Sequence, residues 1–144
     1  MIVMADVHDI QTRSFNMSMI KGKNTKPELL VRKFLFKNGY RYRLNYAKLP
    51  GKPDIVLPKH QTVIFINGCF WHGHEGCKYY VLPKTRRDWW LKKITKTKKH
   101  DKFNSDKLRE LGWSVQIIWE CELKPISFEK TLNQLLEELQ DKVL

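Results

Sequence analysis

The amino-acid sequence predicts one α/β domain in which helices flank a mixed central sheet. Its 144 residues are enough for one domain with a hydrophobic core of its own. Segments with apolar residues at helical spacing alternate with short apolar runs bounded by turn-forming residues. The resulting order is helix, three strands, helix, strand and helix, which is typical of a single α/β domain.

The chain begins with a segment that fits neither a helix nor a strand throughout. Residues 1–24 include "DIQTRSFNMSMIKGKN", which mixes polar and basic residues with isolated apolar ones and predicts a partly helical N-terminal arm. The first helix follows in "TKPELLVRKFLFKNGY". Thr25 is suited to cap this helix, Pro27 lies in its first turn, and Gly39 is suited to end it.

Four segments read as strands. They are "RYRLN", Asp54–Leu57, Thr62–Ile66 and Trp113–Trp119. The turn-rich stretches "KLPGKP" and "PKHQ" separate the first three from one another. The fourth is nearly continuous in apolar residues, so we expect it to be largely buried.

Two further helices complete the pattern. The basic segment Asp88–Leu111 reads as a long helix that ends at Gly112. The last helix, around Phe128–Leu139, is amphipathic through Leu132, Leu135, Leu136 and Leu139.

The charge balance points to a nucleic-acid partner. Lys plus Arg number 27 against 15 Asp plus Glu, which leaves a net charge of +12 and a pI of about 9.7. The chain has no long apolar span, so a membrane partner is not expected. The opening "MIVMADVHDI" lacks the pattern of a secretory signal, which predicts a cytosolic location.

The cysteines and histidines predict a metal site. Cys69, Cys77 and Cys121 are odd in number, which disfavours a complete disulfide framework and favours metal ligation in a reducing compartment. Three thiolates and one imidazole form a closed tetrahedral zinc set, with His74 as the fourth ligand and His72 as the competing choice. The alternative is three ordinary buried thiols beside loop histidines.

One carboxylate is placed as in a magnesium site. Asp54 follows Pro53 at the start of an apolar strand, where its side chain can face a cleft and hold Mg²⁺. The alternative is a turn residue that caps the strand. Glu28 likewise fits a helix-capping role, and it approaches Asp54 only if the first helix packs across the sheet.

Several motifs together resemble one family. They are "MADVHD", "TRSFNMSMI", "LPGKPDIVL", "VIFINGCFWHGH", "LPKTRRDWWLKKI" and "LRELGWSVQIIWECEL". In this order and spacing they resemble the very-short-patch repair (Vsr) endonucleases. The resemblance implies a restriction-endonuclease-like core and a Mg²⁺-dependent enzyme that nicks duplex DNA 5′ to the thymine of a T·G mismatch.

The resemblance also implies a biological setting. Such mismatches arise where 5-methylcytosine deaminates, so a DNA cytosine methyltransferase is the expected genetic companion, and mismatch-repair proteins are expected further partners. The protein is expected to act as a monomer in the bacterial cytoplasm, associated with the nucleoid.

Catalytic roles carry over by resemblance to particular residues. Asp54 matches the metal-binding aspartate, with the backbone carbonyl of Ile66 beside it, and His72 matches the catalytic histidine. Glu28 matches the acidic residue of the first helix, and Asp101 matches an aspartate near the active site, from which it can orient His72. The matched zinc ligands are Cys69, His74, Cys77 and Cys121, which selects His74 over His72.

The chain departs from the family pattern in two places. Asn67 stands where the best-known member has a second active-site histidine, which replaces a proton-transferring group by one that can only position water. "HGHEGC" is one residue longer than in that member, and Gly73 and Gly76 are expected to absorb the difference.

Aromatic and basic residues complete the DNA-binding expectation. Phe70, Trp71 and Trp90 match rings that intercalate beside the mismatch, whereas Trp89 is expected at the core or rim. Arg13 and Lys21 of the arm are expected to contact the DNA backbone. The same is expected of some of the nine cations between Lys84 and Lys102, which are Lys84, Arg86, Arg87, Lys92, Lys93, Lys96, Lys98, Lys99 and Lys102.

Two other functions fit the same residues. One is a zinc-stabilised DNA-binding module without cleavage, which the asparagine at position 67 keeps open. The other is a related nicking endonuclease of broader specificity.

Overall fold

The structure, a computed structural model, describes residues 25–44 and 46–140. The expected N-terminal arm, residues 1–24 with Arg13 and Lys21, therefore lies outside the described residues. Helices α1, α2 and α3 span Lys26–Lys37, Arg87–Glu110 and Phe128–Gln140. Strands β1 to β4 span Arg43–Leu44, Ile55–Leu57, Thr62–Asn67 and Ser114–Trp119.

The four strands form one mixed sheet in the order β1-β2-β3-β4. β2 runs antiparallel to both β1 and β3, whereas β3 and β4 are parallel. The α2 helix makes the connection that a parallel pair requires. This arrangement confirms the predicted α/β class, with three helices around a mixed sheet.

Side chains of the central strands alternate between two hydrophobic layers. On one face, Ile55, Leu57 and Ile64 pack with residues of α1 and α3. On the other face, Val56 and Val63 pack with Leu108 of α2. The period of two in the strands thus places α2 alone on one side of the sheet and α1 with α3 on the other.

The local signals at the ends of α1 act as expected. Thr25 Oγ1 accepts a hydrogen bond from the Glu28 N–H at 3.4 Å, and Pro27 lies in the first turn. Asn38 ends the helix, and Gly39 follows it with a φ of +87°, a conformation that favours glycine.

The expectation of a largely buried fourth strand is wrong. Of β4, only Ile118 is buried, and Ile117 is 38% exposed. β4 lies at the edge of the sheet, so it has a neighbouring strand, β3, along one side only. The apolar run of β4 therefore belongs to an edge strand. Of its residues, Ile118 alone reaches the core shared by α1 and α3.

The candidate catalytic residues lie at one end of the sheet. β3 and β4 both end there, and the antiparallel β2 begins there. The loop after β3 and the turn after β4 consequently lie side by side. Within residues 25–44 and 46–140, no helix has the length and apolar character needed to cross a membrane.

Candidate active site and metal centre

A cleft of about 520 Å³ opens at this end of the sheet. Phe65 and Ile117 of the sheet line it, as do Thr97 and Asn104 of α2. All the positions expected to take part in chemistry line this one cleft. They are Glu28, Asp54, Ile66, Asn67, His72 and Asp101.

Asp54 is held by the backbone of the neighbouring strand. Continuing the β2–β3 register would place Pro53 opposite Ile66, and proline has no N–H to offer a ladder. The Asp54 carboxylate instead accepts the Ile66 N–H through Oδ2 at 2.7 Å. The Pro-Asp pair thus ends the ladder and anchors a carboxylate at the mouth of the cleft.

The surroundings of Asp54 disfavour its charge. Burial raises the pKa of Asp54 from 3.8 to about 6, and the Glu28 carboxylate adds to the increase. The Ile66 hydrogen bond, His72 and Arg32 lower that pKa in turn, but burial outweighs them. A carboxylate destabilised in this way gains from a cation beside it, which is the donor chemistry expected of a Mg²⁺ ligand.

The backbone of Ile66 offers a second oxygen in the same direction. In a strand, the N–H and C=O of one residue point to the same side. Because the Ile66 N–H points to Asp54, the Ile66 carbonyl faces the Asp54 side of the strand as well. A carboxylate and a carbonyl oxygen are therefore both available to a hard cation here.

Glu28 serves the helix and the cleft together. It lies in the first turn of α1 and is only 5% exposed, while still lining the cleft. Its Oε2 accepts a hydrogen bond from Arg32 Nη2 at 3.0 Å, one helical turn further on. The first helix thus packs close enough for Glu28 to act on the pKa of Asp54.

His72 is oriented by a carboxylate from α2. Its Nδ1 lies 2.7 Å from Asp101 Oδ2. When Nδ1–H donates to this carboxylate, Nε2 is left as the acceptor of the neutral ring. This is the arrangement of a histidine that accepts a proton from water.

Asn67 closes the floor of the cleft. It is the last residue of β3, is 6% exposed, and pairs in register with Trp119 of β4. Its side-chain amide offers an oxygen acceptor and an N–H donor toward the cleft but no titratable proton.

Three cysteines and one histidine meet beside the cleft. The ligand atoms of Cys69, His74, Cys77 and Cys121 all lie within 4.8 Å of one another. Cys121 Sγ and His74 Nδ1 are 3.5 Å apart. Tetrahedral zinc, with Zn–S of about 2.3 Å and Zn–N of about 2.0 Å, sets such a pair about 3.5 Å apart. The four residues can therefore hold one metal ion, and the spacing fits zinc.

The electrostatics of this cluster also suit a cation. Burial raises the pKa of the Cys69 thiol to about 12 and raises the pKa of Cys121 as well. A backbone hydrogen bond from Tyr79 lowers the pKa of Cys77. A bound metal would compensate the charge of the ionised Cys69 and Cys121 thiols, which burial disfavours.

Trp119 fixes the plane of the His74 ring. The His74 and Trp119 rings are stacked, with centroids 4.0 Å apart and planes 2° from parallel. The backbone N–H of Trp119 in turn donates to Glu122 Oε1 at 2.9 Å. The histidine ring is thereby held in place from the strand end that also carries Cys121.

The loop after β3 separates the two histidines. The His72 N–H donates to the Gly68 carbonyl at 3.2 Å, and the His74 N–H donates to the Cys69 carbonyl at 2.9 Å. Gly73 and Gly76 have φ values of +62° and +75°. A Cβ at Gly73 would lie 2.7 Å from Ile94 Cγ2, so the loop packs tightly on α2. The tight turn directs His72 to the cleft and His74 to the cysteines.

Three aromatic rings form a cluster on this loop and the start of α2. Phe70 lies 5.3 Å from both Trp71 and Trp90, and Trp71 and Trp90 are 5.8 Å apart, by ring centroids. All three rings are partly exposed, and Trp71 also borders the cleft. Trp89 packs edge-on against Trp90 and is 44% exposed, which places it at the rim.

Sequence reasoning missed several residues of the site. Arg32 could have been found from its spacing of four residues after Glu28. Trp119 and Lys52 gave no comparable signal, since stacking on His74 and exposure to the cleft depend on the tertiary fold.

Comparison with known proteins shows the family of the chain. The family model described as "DNA mismatch endonuclease Vsr" matches residues 5–78. The Type II nicking enzyme V.NmeAIP of Neisseria meningitidis serogroup A is 49% identical over 141 residues, covering 97% of this chain and 100% of that protein. The Type II nicking enzyme V.XorIIP of Xanthomonas oryzae pv. oryzae is 42% identical over 135 residues, covering 93% and 98%.

A third relative carries the family name itself. The DNA mismatch endonuclease Vsr of Escherichia coli K12 is 43% identical over 135 residues, which cover 94% of this chain and 85% of that protein. These matches run through both the cleft and the cysteine–histidine cluster. The chain therefore belongs to the Vsr family of DNA mismatch endonucleases.

Proposed function

We propose that this protein nicks one strand of duplex DNA 5′ to the thymine of a T·G mismatch by Mg²⁺-dependent hydrolysis. The observation that carries the proposal is the cleft in which Asp54 faces the His72–Asp101 pair. A metal-binding carboxylate and an oriented base within one cleft are the parts that phosphodiester hydrolysis requires. The names of the nicking and mismatch-repair relatives support the same reaction.

Asp54 and the Ile66 carbonyl would hold the magnesium ion. Bound there, Mg²⁺ supplies charge stabilisation to the phosphate during in-line attack. The Ile66 N–H keeps Asp54 in place, and the ion pair with Arg32 keeps the Glu28 carboxylate in place. The protein's part is to present oxygen ligands from a rigid strand end.

His72 is proposed as the base that takes a proton from the attacking water at Nε2. Asp101 holds Nδ1 and stabilises the charged ring that results. Asn67 is proposed to position the water through its amide, since it cannot exchange a proton near neutral pH. A single centre of this kind cuts one strand and leaves 5′-phosphate and 3′-hydroxyl ends.

Mismatch selectivity is assigned to the aromatic cluster of Phe70, Trp71 and Trp90. Unstacking a base step costs a few kcal/mol and costs least at a mismatch, so wedge-like rings favour T·G over paired DNA. Cations of α2 and of the arm, among them Arg13 and Lys21, are proposed to contact phosphates. We further propose that the whole chain acts as one monomeric domain, with a cytosine methyltransferase as its genetic companion and mismatch-repair proteins as partners.

Zinc is the proposed occupant of the cysteine–histidine cluster. With all four positions filled by protein atoms, the site would be structural and leave no place for substrate. It would join the loop that carries His72 and Trp71 to the turn after β4.

The nicking assay tests the proposed reaction. Wild-type protein with Mg²⁺ should nick a labelled T·G duplex and leave a matched T·A duplex intact. Asp54→Asn should slow nicking by at least about 100-fold, the scale for losing one preorganised electrostatic group, while T·G binding changes little. Asp106→Asn, on α2 outside the cleft, is the control and should nick at the wild-type rate. Equal nicking by Asp54→Asn and wild type would refute the metal assignment.

The same assay separates the other two functions. A zinc-stabilised binding module would bind T·G duplex but show no nicking at any Mg²⁺ concentration. A nicking enzyme of broader specificity would cut other mismatches or matched sites at comparable rates.

The raised pKa of Asp54 predicts a pH-dependent stability difference. The folded-state pKa of about 6 lies above the ordinary 3.8, so wild-type protein loses stability relative to Asp54→Asn as pH rises between these values. In magnesium-free buffer near pH 8, Asp54→Asn should be more stable by about 1–3 kcal/mol in urea unfolding. The difference should shrink toward zero near pH 4, and Mg²⁺ should raise the stability of wild type alone. A difference that stays constant with pH would contradict this account.

Three histidine variants test the metal centre. His74→Asn should lose bound zinc, measured by elemental analysis, and unfold at a lower temperature, because structural zinc contributes directly to folding free energy. His72→Asn should retain one zinc per chain but lose nicking. His100→Asn, an exposed imidazole on α2, should retain both properties. Zinc loss in His72→Asn rather than in His74→Asn would reverse the ligand assignment.

Two aromatic variants test the wedge. Trp71→Ala should reduce the ratio of T·G to T·A affinity by about 10-fold or more, since stacking on one base contributes about 1–3 kcal/mol. Phe103→Ala removes a 61% exposed ring of α2 that belongs to neither the cluster nor the cleft, and should leave the ratio unchanged. Competition binding in magnesium-free buffer measures this affinity ratio. Equal ratios for both variants and wild type would show that Trp71 of the aromatic cluster does not contribute to mismatch selectivity.

A further inference from the structure

The cleft has an excess of carboxylates over cations for a site that receives a phosphate. Of the lining residues within 25–44 and 46–140, Glu28, Asp54, Asp101 and Glu120 are acidic, and two, Lys52 and Lys93, are permanent cations. Arg32 neutralises Glu28, and Asp101 pairs with His72. Asp54 and Glu120 are then left beside Lys52 and Lys93, so among the described residues these two lysines are the permanent positive charge that the cleft can offer to a DNA phosphate near Asp54.

Lys52 is the cation whose backbone is fixed at the cleft. It has a φ of +49°, which is strained for a residue with a side chain, and it follows Gly51 at +77°. The Lys52 N–H donates to the Leu49 carbonyl at 3.1 Å. Two consecutive residues in the left-handed region turn the chain sharply just before Pro53 and Asp54.

The turn is pressed against two other elements. A Cβ on Gly51 would lie 3.0 Å from Asn104 Cβ of α2 and 3.1 Å from Phe65 Cζ of β3. Asn104 and Phe65 both line the cleft. Gly51 is thus required for the turn to pack this closely against α2 and β3. The position of Gly51 in turn fixes the backbone position of Lys52, the next residue.

Lys93 is less well placed than Lys52 to bring positive charge to a phosphate near Asp54. It lies two helical turns before Asp101 on α2, and its Nζ is 5.7 Å from the centre of the Trp89 ring. That contact directs Lys93 to the rim, beside the aromatic residues. Lys52, by contrast, is two residues from Asp54 in the chain.

We propose that Lys52 contacts a non-bridging oxygen of the scissile phosphate and stabilises the charge that develops there during attack. The inference rests on the proposed nicking function and adds a catalytic residue to it. It also gives a reason for the strained backbone, because the left-handed turn brings a cation to a cleft whose walls are acidic.

The test separates charge from folding. Lys52→Gly removes the cation and relieves the positive φ, so its melting temperature should equal or exceed that of wild type. Lys52→Asn, which also tolerates this conformation, is a second uncharged variant, and Lys52→Arg retains the charge. Lys48→Gly, an exposed lysine of the same connection outside the cleft, is the matched control.

Two readouts are expected to change. Under single-turnover conditions with saturating protein, Lys52→Gly and Lys52→Asn should nick T·G duplex about 10- to 100-fold more slowly, whereas Lys52→Arg and Lys48→Gly stay near wild type. In magnesium-free binding titrations, the slope of log K against log salt should fall by about one for the uncharged variants.

The outcomes distinguish this inference from the function on which it rests. If wild type nicks and the uncharged variants nick equally fast, the inference is overturned while the function stands. A reduced salt slope with an unchanged rate places Lys52 on another phosphate and also overturns it. If wild type itself does not nick, the proposed function fails, and the salt slope alone decides whether Lys52 contacts a phosphate.

Discussion

The parallel pairing of β3 with β4 is the constraint on which the site depends. It aligns Asn67 with Trp119, so that both strands end at the same edge of the sheet. Residues separated by about fifty positions in the chain become neighbours there: the loop that carries Cys69 and the turn that carries Cys121. Without this register the cleft would lose its floor and the cysteine–histidine cluster would lose its fourth member.

The loop after β3 serves two purposes with one short piece of backbone. His72 faces Asp101 and the cleft, whereas His74, two residues later, faces the cysteines and stacks on Trp119. Gly73 makes this division feasible, because a side chain there would collide with Ile94 of α2. The group proposed for chemistry and the group proposed for metal binding are therefore mechanically coupled. A change at the metal cluster is expected to move His72 as well.

The sequence predicted those parts of the fold that depend on local signals. The cap at Thr25 and the strand predicted at Asp54–Leu57 depend on neighbours in the chain, and the structure has the cap and a strand at Ile55–Leu57. The burial of β4 was mispredicted, because a strand's place in the sheet depends on partners remote in the chain. An apolar run alone does not tell an edge strand from a central one.

The candidate site was predictable to a similar extent. Family motifs named the residues of the cleft, and the proline before Asp54 explained why that carboxylate lies at a strand end. Motifs assigned no part to Arg32, although its spacing of four residues after Glu28 could have identified it. The stacking of Trp119 on His74 and the place of Lys52 at the cleft depend on the tertiary fold and gave no such signal. Propensity rules even argue against a lysine at a φ of +49°.

The distribution of charge ties the site to the rest of the molecule. The chain as a whole carries +12, yet the cleft walls are rich in carboxylates. We expect the cations of the long α2 helix to attract DNA over distances of about 10 Å, the Debye length at moderate salt. Close to the cleft, the same DNA meets acidic groups that repel a phosphate unless a cation is present. A phosphate is thus stable in the cleft only when the local charge has been balanced. On the proposed function, the basic surface would bind DNA broadly while the acidic cleft would restrict chemistry to a fully assembled site.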